Sequence, residues 1–264
     1  MEIFIGIISS TIIALVAYNK KSLNISGTIA AIILGSSIFF LGGIIPFIIM
    51  LVFFISSSII SKVGKSKKKN LDRIHEKGDA RDFIQVIANG GIALICLVLF
   101  RINMDSKFLI ASAVSFAAST SDTWASEIGV LSKGKTISII TGKRIEQGVS
   151  GGISLLGTFS AVLGAILIGL LYTILHIFTF EYNKNILGVF LLIVILGFLG
   201  SIIDSILGEK FQGHYINEVD GSVTEKKYNG NRKNYLISGY RFINNDVVNI
   251  LSNLIVTAIS LVIL

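Results

Sequence analysis

The sequence predicts an all-α protein, a polytopic membrane helix bundle of about eight transmembrane helices that forms a single membrane domain over residues 1–264. Three observations predict this class. The mean hydropathy is +0.78, only 15% of the residues are charged, and the charges fall in a few blocks between long apolar runs. Soluble domains carry about 25% charged residues, so the composition excludes an ordinary soluble enzyme. The runs lack the alternation of a transmembrane β-barrel and therefore favour helices.

Eight segments come close to the roughly 20 mostly apolar residues that a transmembrane helix needs. They cover residues 3–18, 25–41, 44–60, 83–100, 108–130, 149–177, 187–207 and 247–264. The first lacks the basic region and cleavage site of a signal peptide, so we expect it to be retained as a span. Gly42, Gly43 and Pro46 predict a tight hairpin between the second and third spans.

Basic residues in the connections predict the orientation. The connections after spans one, three, five and seven hold 20 Lys and Arg residues, whereas the other connections hold 3: Arg101, Lys107 and Lys184. By the positive-inside rule, the basic loops are cytoplasmic and both termini lie on the non-cytoplasmic side, with the plasma membrane as the expected location. The net charge of +7 then reflects topology and contacts with anionic lipids. No basic module interleaved with aromatic residues is present, so we expect no nucleic-acid partner.

Carboxylates inside the predicted spans are the strongest functional signal. Asp122 and Glu127 fall near the end of span five, and Asp204 falls near the end of span seven. Charged side chains are costly inside a membrane helix, so they usually mark a functional site. The alternative is a packing seam of small residues with interfacial charges, which would explain the neighbouring serines.

The polar residues of these spans also repeat at identical spacing. One set contains Ser119, Asp122, Thr123 and Glu127, and its counterpart contains Ser201, Asp204, Ser205 and Glu209. A second set contains Asp82, Gln85 and Asn89, and its counterpart contains Asp246, Asn249 and Asn253. These echoes between spans 4–5 and 7–8 indicate an internal duplication, with chance similarity as the alternative. Under the predicted topology, all four helices bring carboxylates and amides to the cytoplasmic face.

The residue types predict a magnesium and phosphate site. Carboxylate and amide oxygens without a cluster of His or Cys suit Mg²⁺. Span six is expected to begin near residue 149 with a glycine-rich N-terminus, whose free backbone N–H groups can bind an anion. Mg²⁺ beside a phosphate-binding segment is typical of phosphoryl or nucleotidyl transfer.

The candidate site residues follow from this chemistry. The catalytic and metal-binding candidates are Asp122, Glu127 and Asp204. The candidates for binding the nucleotide and the substrate are Asn89, Lys143, Arg144, Gly148, Gly151, Gly152, Ser205 and Asn249. The two asparagines are expected to orient ligands, while the basic pair and the glycines are expected to hold phosphates.

At these residues the sequence resembles the family of integral-membrane proteins that includes transmembrane protein 19 and the phytyl-phosphate kinase of plant tocopherol synthesis. The matching stretches are 21–27, 30–31, 85–90, 121–129, 148–152 and 200–208, and Asp-Thr-Trp-Ala-Ser-Glu at 122–127 is the most specific. The resemblance implies a kinase that uses CTP or a related nucleotide to convert a polyprenyl monophosphate into a diphosphate. It therefore implies a prenyl-phosphate lipid and a nucleotide as partners within the lipid bilayer, with magnesium as cofactor.

Two other functions also fit the residues. Repeats and polar residues in membrane helices are typical of an ion-coupled transporter or carrier, although its site would lie near the middle of the bilayer. A non-enzymatic membrane scaffold would use the same polar groups to join helices. The polar connection 208–246, with a turn at Tyr228-Asn229-Gly230-Asn231, is either a lid or a linker.

Overall fold

The computed structural model describes residues 2–64, 74, 76–78, 80–179 and 185–264. The basic stretch 65–73 and Lys184, which the predicted topology counts, lie outside the described residues. Eight long helices occur within these ranges. They are α1 Glu2–Asn19, α2 Ile25–Gly42, α3 Ile44–Lys62, α4 Phe83–Asn103, α5 Lys107–Gly129, α6 Leu155–Thr179, α7 Ile186–Phe211 and α8 Asn245–Ile263.

The apolar character of these helices supports an integral membrane protein. Six of the described helices are long and apolar enough to cross a bilayer: α2, α3, α4, α6, α7 and α8. The apolar part of α1 is shorter, and α5 carries the serines and carboxylates that lower its hydropathy. The all-helical class is therefore confirmed, while the count of eight spans and the side of each terminus stay predictions.

Local side-chain chemistry fixes several helix ends. Asn24 caps α2 by accepting a hydrogen bond from the backbone N–H of Gly27 at 2.9 Å. Asp82 caps α4 through a reciprocal capping box with Gln85. Gly43 joins α2 to α3 at a φ of +76°, a conformation that glycine adopts without strain. This junction confirms the predicted hairpin.

Helix α5 lies at the centre of the bundle. It packs against α3, α4, α6, α7 and α8, and residues 110–121 are buried. Small residues allow the close approach of α7, because a Cβ at Gly200 would lie 2.5 Å from the Cβ of Ala118. The serines and alanines of α5 therefore do form the expected packing seam, and the carboxylates follow where this seam ends.

Among the residues that the structure describes, seven short strands occupy two of the connections at one end of the bundle. Strands β1 Ile137–Ser138 and β2 Gly152–Ile153 pair antiparallel between α5 and α6. Between α7 and α8, β3 His214–Ile216, β4 Val223–Thr224 and β7 Tyr235–Ser238 form a three-stranded sheet in the order β4-β3-β7. The hairpin of β5 Tyr228–Asn229 and β6 Arg232–Lys233 turns at Gly230, as the sequence predicts. The connection 208–246 is thus folded and is not a simple linker.

The predicted start of span six is wrong. Helix α6 begins at Leu155, and the glycines before it form turns and strand β2. Gly148 and Gly151 have φ values of +94° and +86°, which are incompatible with a right-handed helix. The glycine-rich segment is therefore a loop that precedes α6, held by a hydrogen bond from the backbone N–H of Ile139 to the carbonyl of Gly151 at 3.0 Å.

Candidate functional site

A polar cavity of about 310 Å³ opens at the end of the bundle that carries the short strands. Its walls come from the ends of α3, α5 and α7, residues 76–78 and 81, the loop 147–154 and the folded connection before α8. The connections at this end of the bundle are the ones that hold most of the basic residues. Seven of the predicted site residues line it: Asp122, Glu127, Asp204, Ser205, Gly148, Gly151 and Gly152.

Asp122 and Asp204 form the chemical centre of the cavity. The close contact of Ala118 with Gly200 lies one helical turn before them and sets α5 and α7 side by side. The two carboxyl groups come within hydrogen-bonding distance of each other, and Ser252 Oγ donates to Asp204 at 3.0 Å. Two carboxylates so close together require a proton or a cation between them.

Glu127 lines the same cavity but does not join this pair. Its carboxylate accepts a hydrogen bond from Ser61 Oγ at 2.8 Å. Within the described ranges, no three His, Cys, Asp or Glu side chains are grouped closely enough to hold a metal. The structure therefore brings together two of the three predicted metal ligands. Mg²⁺ is usually bound by one or two carboxylates together with substrate phosphates and water, so the Asp122–Asp204 pair fits it.

The loop of Gly148, Gly151 and Gly152 forms one wall of the cavity. Ser150 Oγ donates to the Glu225 carboxylate, and Glu225 belongs to the folded connection before α8. On the α7 side, Glu209 accepts hydrogen bonds from Ser138 Oγ and from the backbone N–H of Ile140. The Glu225 contact thus fixes the loop to the connection before α8, and the Glu209 contacts fix the segment 138–140 to α7.

Lys143 and Arg144 do not lie where the sequence predicts. Both are exposed, and neither is among the residues that line the cavity. The cause is the turn at Gly142, with a φ of +67°, after which Arg144 forms a bridge with Ile137 on the outside of the β1–β2 pair. The prediction that these two side chains reach the phosphates in this cavity is thus not matched by their positions.

Three other cations line the cavity: Lys77, Arg81 and Lys227. Sequence reasoning explains these three residues only as topology signals, because they lie in the basic loops. The pattern Asp82-x-x-Gln85 marks a helix start and so could have placed Arg81 at the mouth of the bundle. Lys227 carried no comparable signal, because only the folding of the connection before α8 brings it there.

The predicted amides lie deeper, between helices. Asn89 donates from Nδ2 to the backbone carbonyl of Gln85 at 2.9 Å, and the backbone carbonyl of Asn89 accepts from Ser119 Oγ at 3.0 Å. Asn249 is buried, and its Oδ1 has no hydrogen-bond partner among the described residues. Neither lines the polar cavity. The expected role of these amides in orienting ligands is not supported by their positions, whereas Ser205 does line the cavity.

Comparison with known proteins decides the family. The model of the family described as integral membrane protein DUF92 matches residues 8–257. The chain belongs to this family. It is 33% identical over 272 residues to Protein PGR of Arabidopsis thaliana, which covers 96% of this chain and 93% of the relative.

A second relative comes from an archaeon. The chain is 35% identical over 170 residues to the uncharacterized membrane protein MJ0933 of Methanocaldococcus jannaschii, covering 64% of this chain and 70% of the relative. No solved structure matches. The family resemblance stated from the motifs is confirmed.

The repeated polar sets of this DUF92 protein meet in space. Asp122 lies beside its counterpart Asp204. Asp82 and its counterpart Asp246 bind the same cation, since Lys77 Nζ lies 2.7 Å from the first and 2.5 Å from the second. Equivalent residues of the two sets thus lie close together, while the internal duplication itself stays a prediction.

Lys77→Met is expected to release the segment 76–81 from the cavity mouth. Burial lowers the pKa of Lys77, but its hydrogen bonds to Asp246 and Asp82 raise it by more than burial lowers it. The net shift is therefore upward from 10.5. Burial raises the pKa of Asp82. The hydrogen bonds that it accepts from Lys77 and from backbone N–H groups have the larger effect and lower the pKa below 3.8. What Lys77 contributes to the free energy of unfolding is therefore lost only as the pH rises above 10.5. What Asp82 contributes is lost only as the pH falls below 3.8.

The measurement is limited proteolysis from about pH 5 to about pH 9, where both groups stay charged. We expect slow cleavage at 76–81 in the wild type across this range and faster cleavage in Lys77→Met. Lys107→Met removes the comparable ion pair with Asp105 at the other end of the bundle and is the control. Equal cleavage of all three proteins would contradict the proposed role of Lys77.

Asn253→Ala is expected to lower the free energy of unfolding by about 1 kcal/mol, since interhelical hydrogen bonds in membranes contribute about 0.6 and at most about 1.7 kcal/mol. Asn253 Nδ2 donates to Ser119 Oγ at 3.1 Å and so joins α8 to α5. Asn103→Ala is the matched control, because the amide of Asn103 bonds within its own helix and is exposed. Reversible unfolding in mixed micelles measures both, and equal effects would contradict the interhelical role.

Proposed function

We propose that this DUF92 protein is a membrane-embedded phosphotransferase. It transfers the γ-phosphoryl group of a nucleoside triphosphate, CTP being the donor that the family resemblance implies, to a polyprenyl monophosphate. An oxygen of the acceptor phosphate attacks the γ-phosphorus, and the bond from the γ-phosphorus to the β–γ bridging oxygen breaks. The products are a prenyl diphosphate and a nucleoside diphosphate.

The observation that carries the proposal is the composition of the polar cavity. The Asp122–Asp204 pair, a glycine loop and the cations Lys77, Arg81 and Lys227 all line the same cavity. Paired carboxylates suit Mg²⁺, and backbone N–H groups with cations suit phosphate oxygens. Catalysis of phosphoryl transfer consists mostly of positioning and charge neutralisation, which these groups supply.

The acceptor explains why no general base is needed. A monophosphate is already ionised at neutral pH, so its oxygen can attack without losing a proton. No histidine is among the residues described as lining the cavity. An alcohol acceptor would require a base, and the cavity would then have to use one of the carboxylates that the metal also needs.

The opening of the cavity at one end of the bundle favours an enzyme over a carrier. Asp122 and Asp204 each lie seven residues before the end of their helices, or about 10 Å along the axis. We take all eight helices as spans, with the cavity at the cytoplasmic face of the plasma membrane and both termini outside. Because both carboxylates line a cavity that opens at this end of the bundle, a soluble nucleotide can meet a lipid phosphate there, whereas a carrier needs a path to both faces of the membrane.

The test is a transfer assay on the purified wild-type protein in lipid nanodiscs. Each of CTP, ATP, GTP and UTP, labelled at the γ-phosphate, is offered with Mg²⁺ and a prenyl monophosphate. We expect label in a lipid diphosphate with one preferred nucleotide, and none when the acceptor is the corresponding prenol. Absence of labelled lipid with all four nucleotides would overturn the proposal.

A further inference from the structure

A second, apolar cleft lies beside the polar cavity. It has a volume of about 60 Å³ and is bordered by α1, α2, α3, α4 and one side chain of α5. Arg81 and Gln85 line both spaces, so the apolar cleft and the polar cavity meet at these two residues. A group bound at this junction would have a polar end in the cavity and an apolar end in the cleft.

The walls of the cleft are small or flexible apolar side chains. Ala14 and Ala31 leave room between α1 and α2, while Met50 and Phe54 form the side of α3. The polar side chains of α4 bond within their own helix start, since Gln85 Oε1 accepts from the backbone N–H of Asp82. The surface offered by the cleft is therefore one that an alkyl or prenyl chain can cover.

Arg81 stands at the junction, where the charge of Glu127 acts on its guanidinium but no described carboxylate forms an ion pair with it. Its Nη1 donates to Ser58 Oγ at 3.2 Å, and its guanidinium lies 5.6 Å from the centre of the Phe54 ring. The ion pairs found among the described residues involve Lys77 and Lys107, not Arg81. Burial lowers the pKa of Arg81 below its usual value, and the charge of Glu127 offsets only part of that shift. An arginine stays charged under these conditions, and its fork of donors matches a phosphate group.

We propose that the cleft binds the apolar chain of the acceptor lipid and that Arg81 binds its phosphate at the edge of the polar cavity. The phosphate then faces Asp122 and Asp204 from the membrane side, and the nucleotide enters from the glycine loop. This inference rests on the proposed function for the identity of the lipid. It adds the location of the acceptor and a residue that holds it.

The size of the cleft limits what it recognises. A volume of about 60 Å³ is small, since a cavity needs about 10–15 Å³ to hold a single water molecule, so the cleft holds only the chain atoms next to the phosphate. The outer faces of α1 and α2 are apolar and exposed, as at Ile12, Ile29 and Ile33, so the rest of the chain lies in the bilayer. The site therefore selects for the first isoprene unit and tolerates different chain lengths.

The test is photoaffinity labelling of the full chain in nanodiscs. The probe is a prenyl monophosphate with a diazirine on the isoprene unit next to the phosphate, and labelled residues are identified by mass spectrometry. We expect adducts on the cleft residues of α1 to α4 in the wild type. Adducts confined to the outward faces of α6 and α7 would overturn the proposal without any variant being needed.

Two matched pairs of variants sharpen the result. Ala31→Phe fills the cleft and is expected to reduce labelling at least tenfold, whereas Ala258→Phe, on the exposed face of α8, leaves it unchanged.

Arg81→Gln is expected to reduce labelling by the monophosphate probe at least tenfold but not labelling by the matching prenol probe. Arg101→Gln, exposed at the far end of α4, is its control. Equal effects within either pair would contradict the assignment.

Labelling separates this inference from the proposed function. It requires binding and no phosphoryl transfer. Labelled cleft residues in a protein that transfers no phosphate would refute the kinase alone. Active transfer with labelling elsewhere would refute the cleft alone.

Discussion

Asp122→Asn is expected to lower nucleotide-dependent phosphoryl transfer by more than about a hundredfold, because even residues behind a metal ligand contribute about ten- to a hundredfold. The substitution keeps the shape of the side chain but removes the negative charge that faces Asp204. A single carboxylate remains for Mg²⁺, and the charge of the triphosphate is then less neutralised. The transfer assay with a Mg²⁺ titration measures the loss, and saturating Mg²⁺ should restore only part of the rate.

Asp105→Asn is the matched control for this variant. Asp105 lies at the opposite end of α5, where its side chain is 44% exposed and bonds to Lys107. We expect wild-type transfer from it. Asp204→Asn should resemble Asp122→Asn, and the double variant should be little worse than either, since residues that act as a unit are not additive. Full activity in a folded Asp122→Asn protein would contradict the assigned role of the pair.

Gly151→Ala is expected to weaken nucleotide binding by about tenfold or more. A non-glycine residue at a φ of +86° costs about 1–2 kcal/mol. The added Cβ would also overlap Glu209, lying 2.9 Å from its Cγ and 3.0 Å from its Cα. The loop must therefore move away from α7, and Gly151 leaves its place in the wall of the cavity. A shift of about 1.4 kcal/mol corresponds to a tenfold change in affinity.

Gly142→Ala isolates the backbone strain from the contact. Gly142 has a φ of +67° but has open space where a Cβ would stand. We expect a similar loss of stability in this variant and no change in nucleotide affinity. Equilibrium dialysis with the preferred nucleotide and Mg²⁺ measures both variants. An unchanged affinity in Gly151→Ala would show that the loop does not contact the nucleotide.

The carboxylates could be predicted from the sequence because membrane helices make them conspicuous. A charge in an apolar segment is costly, so Asp122 and Asp204 stood out, and helical periodicity placed both near one end of the bundle. The capping residues Asn24 and Asp82 likewise follow local rules that need no tertiary structure. For these features the relevant physics acts within one turn of helix.

The rest of the site depends on contacts between distant segments. Glu225 and Lys227 reach the cavity only because the connection before α8 folds into a sheet. The glycines at 148–152 were assigned to a helix start because composition alone does not reveal the positive φ values of Gly148 and Gly151. Lys143 and Arg144 lie only a few residues before the glycines, and this proximity along the chain predicts that they reach the phosphates. A single turn at Gly142 places their side chains outside the cavity.

The most direct test of the central claim is thermal unfolding of the purified protein with Mg²⁺ and each nucleoside triphosphate. A ligand that binds only the folded state stabilises it by about 2.7 kcal/mol at a hundred times its Kd. We expect a Mg²⁺-dependent rise in Tm with one preferred nucleotide in the wild type and in Asp105→Asn, and none in Asp122→Asn. The same rise in Asp122→Asn, or no rise with any nucleotide, would contradict a magnesium–nucleotide site at the Asp122–Asp204 pair.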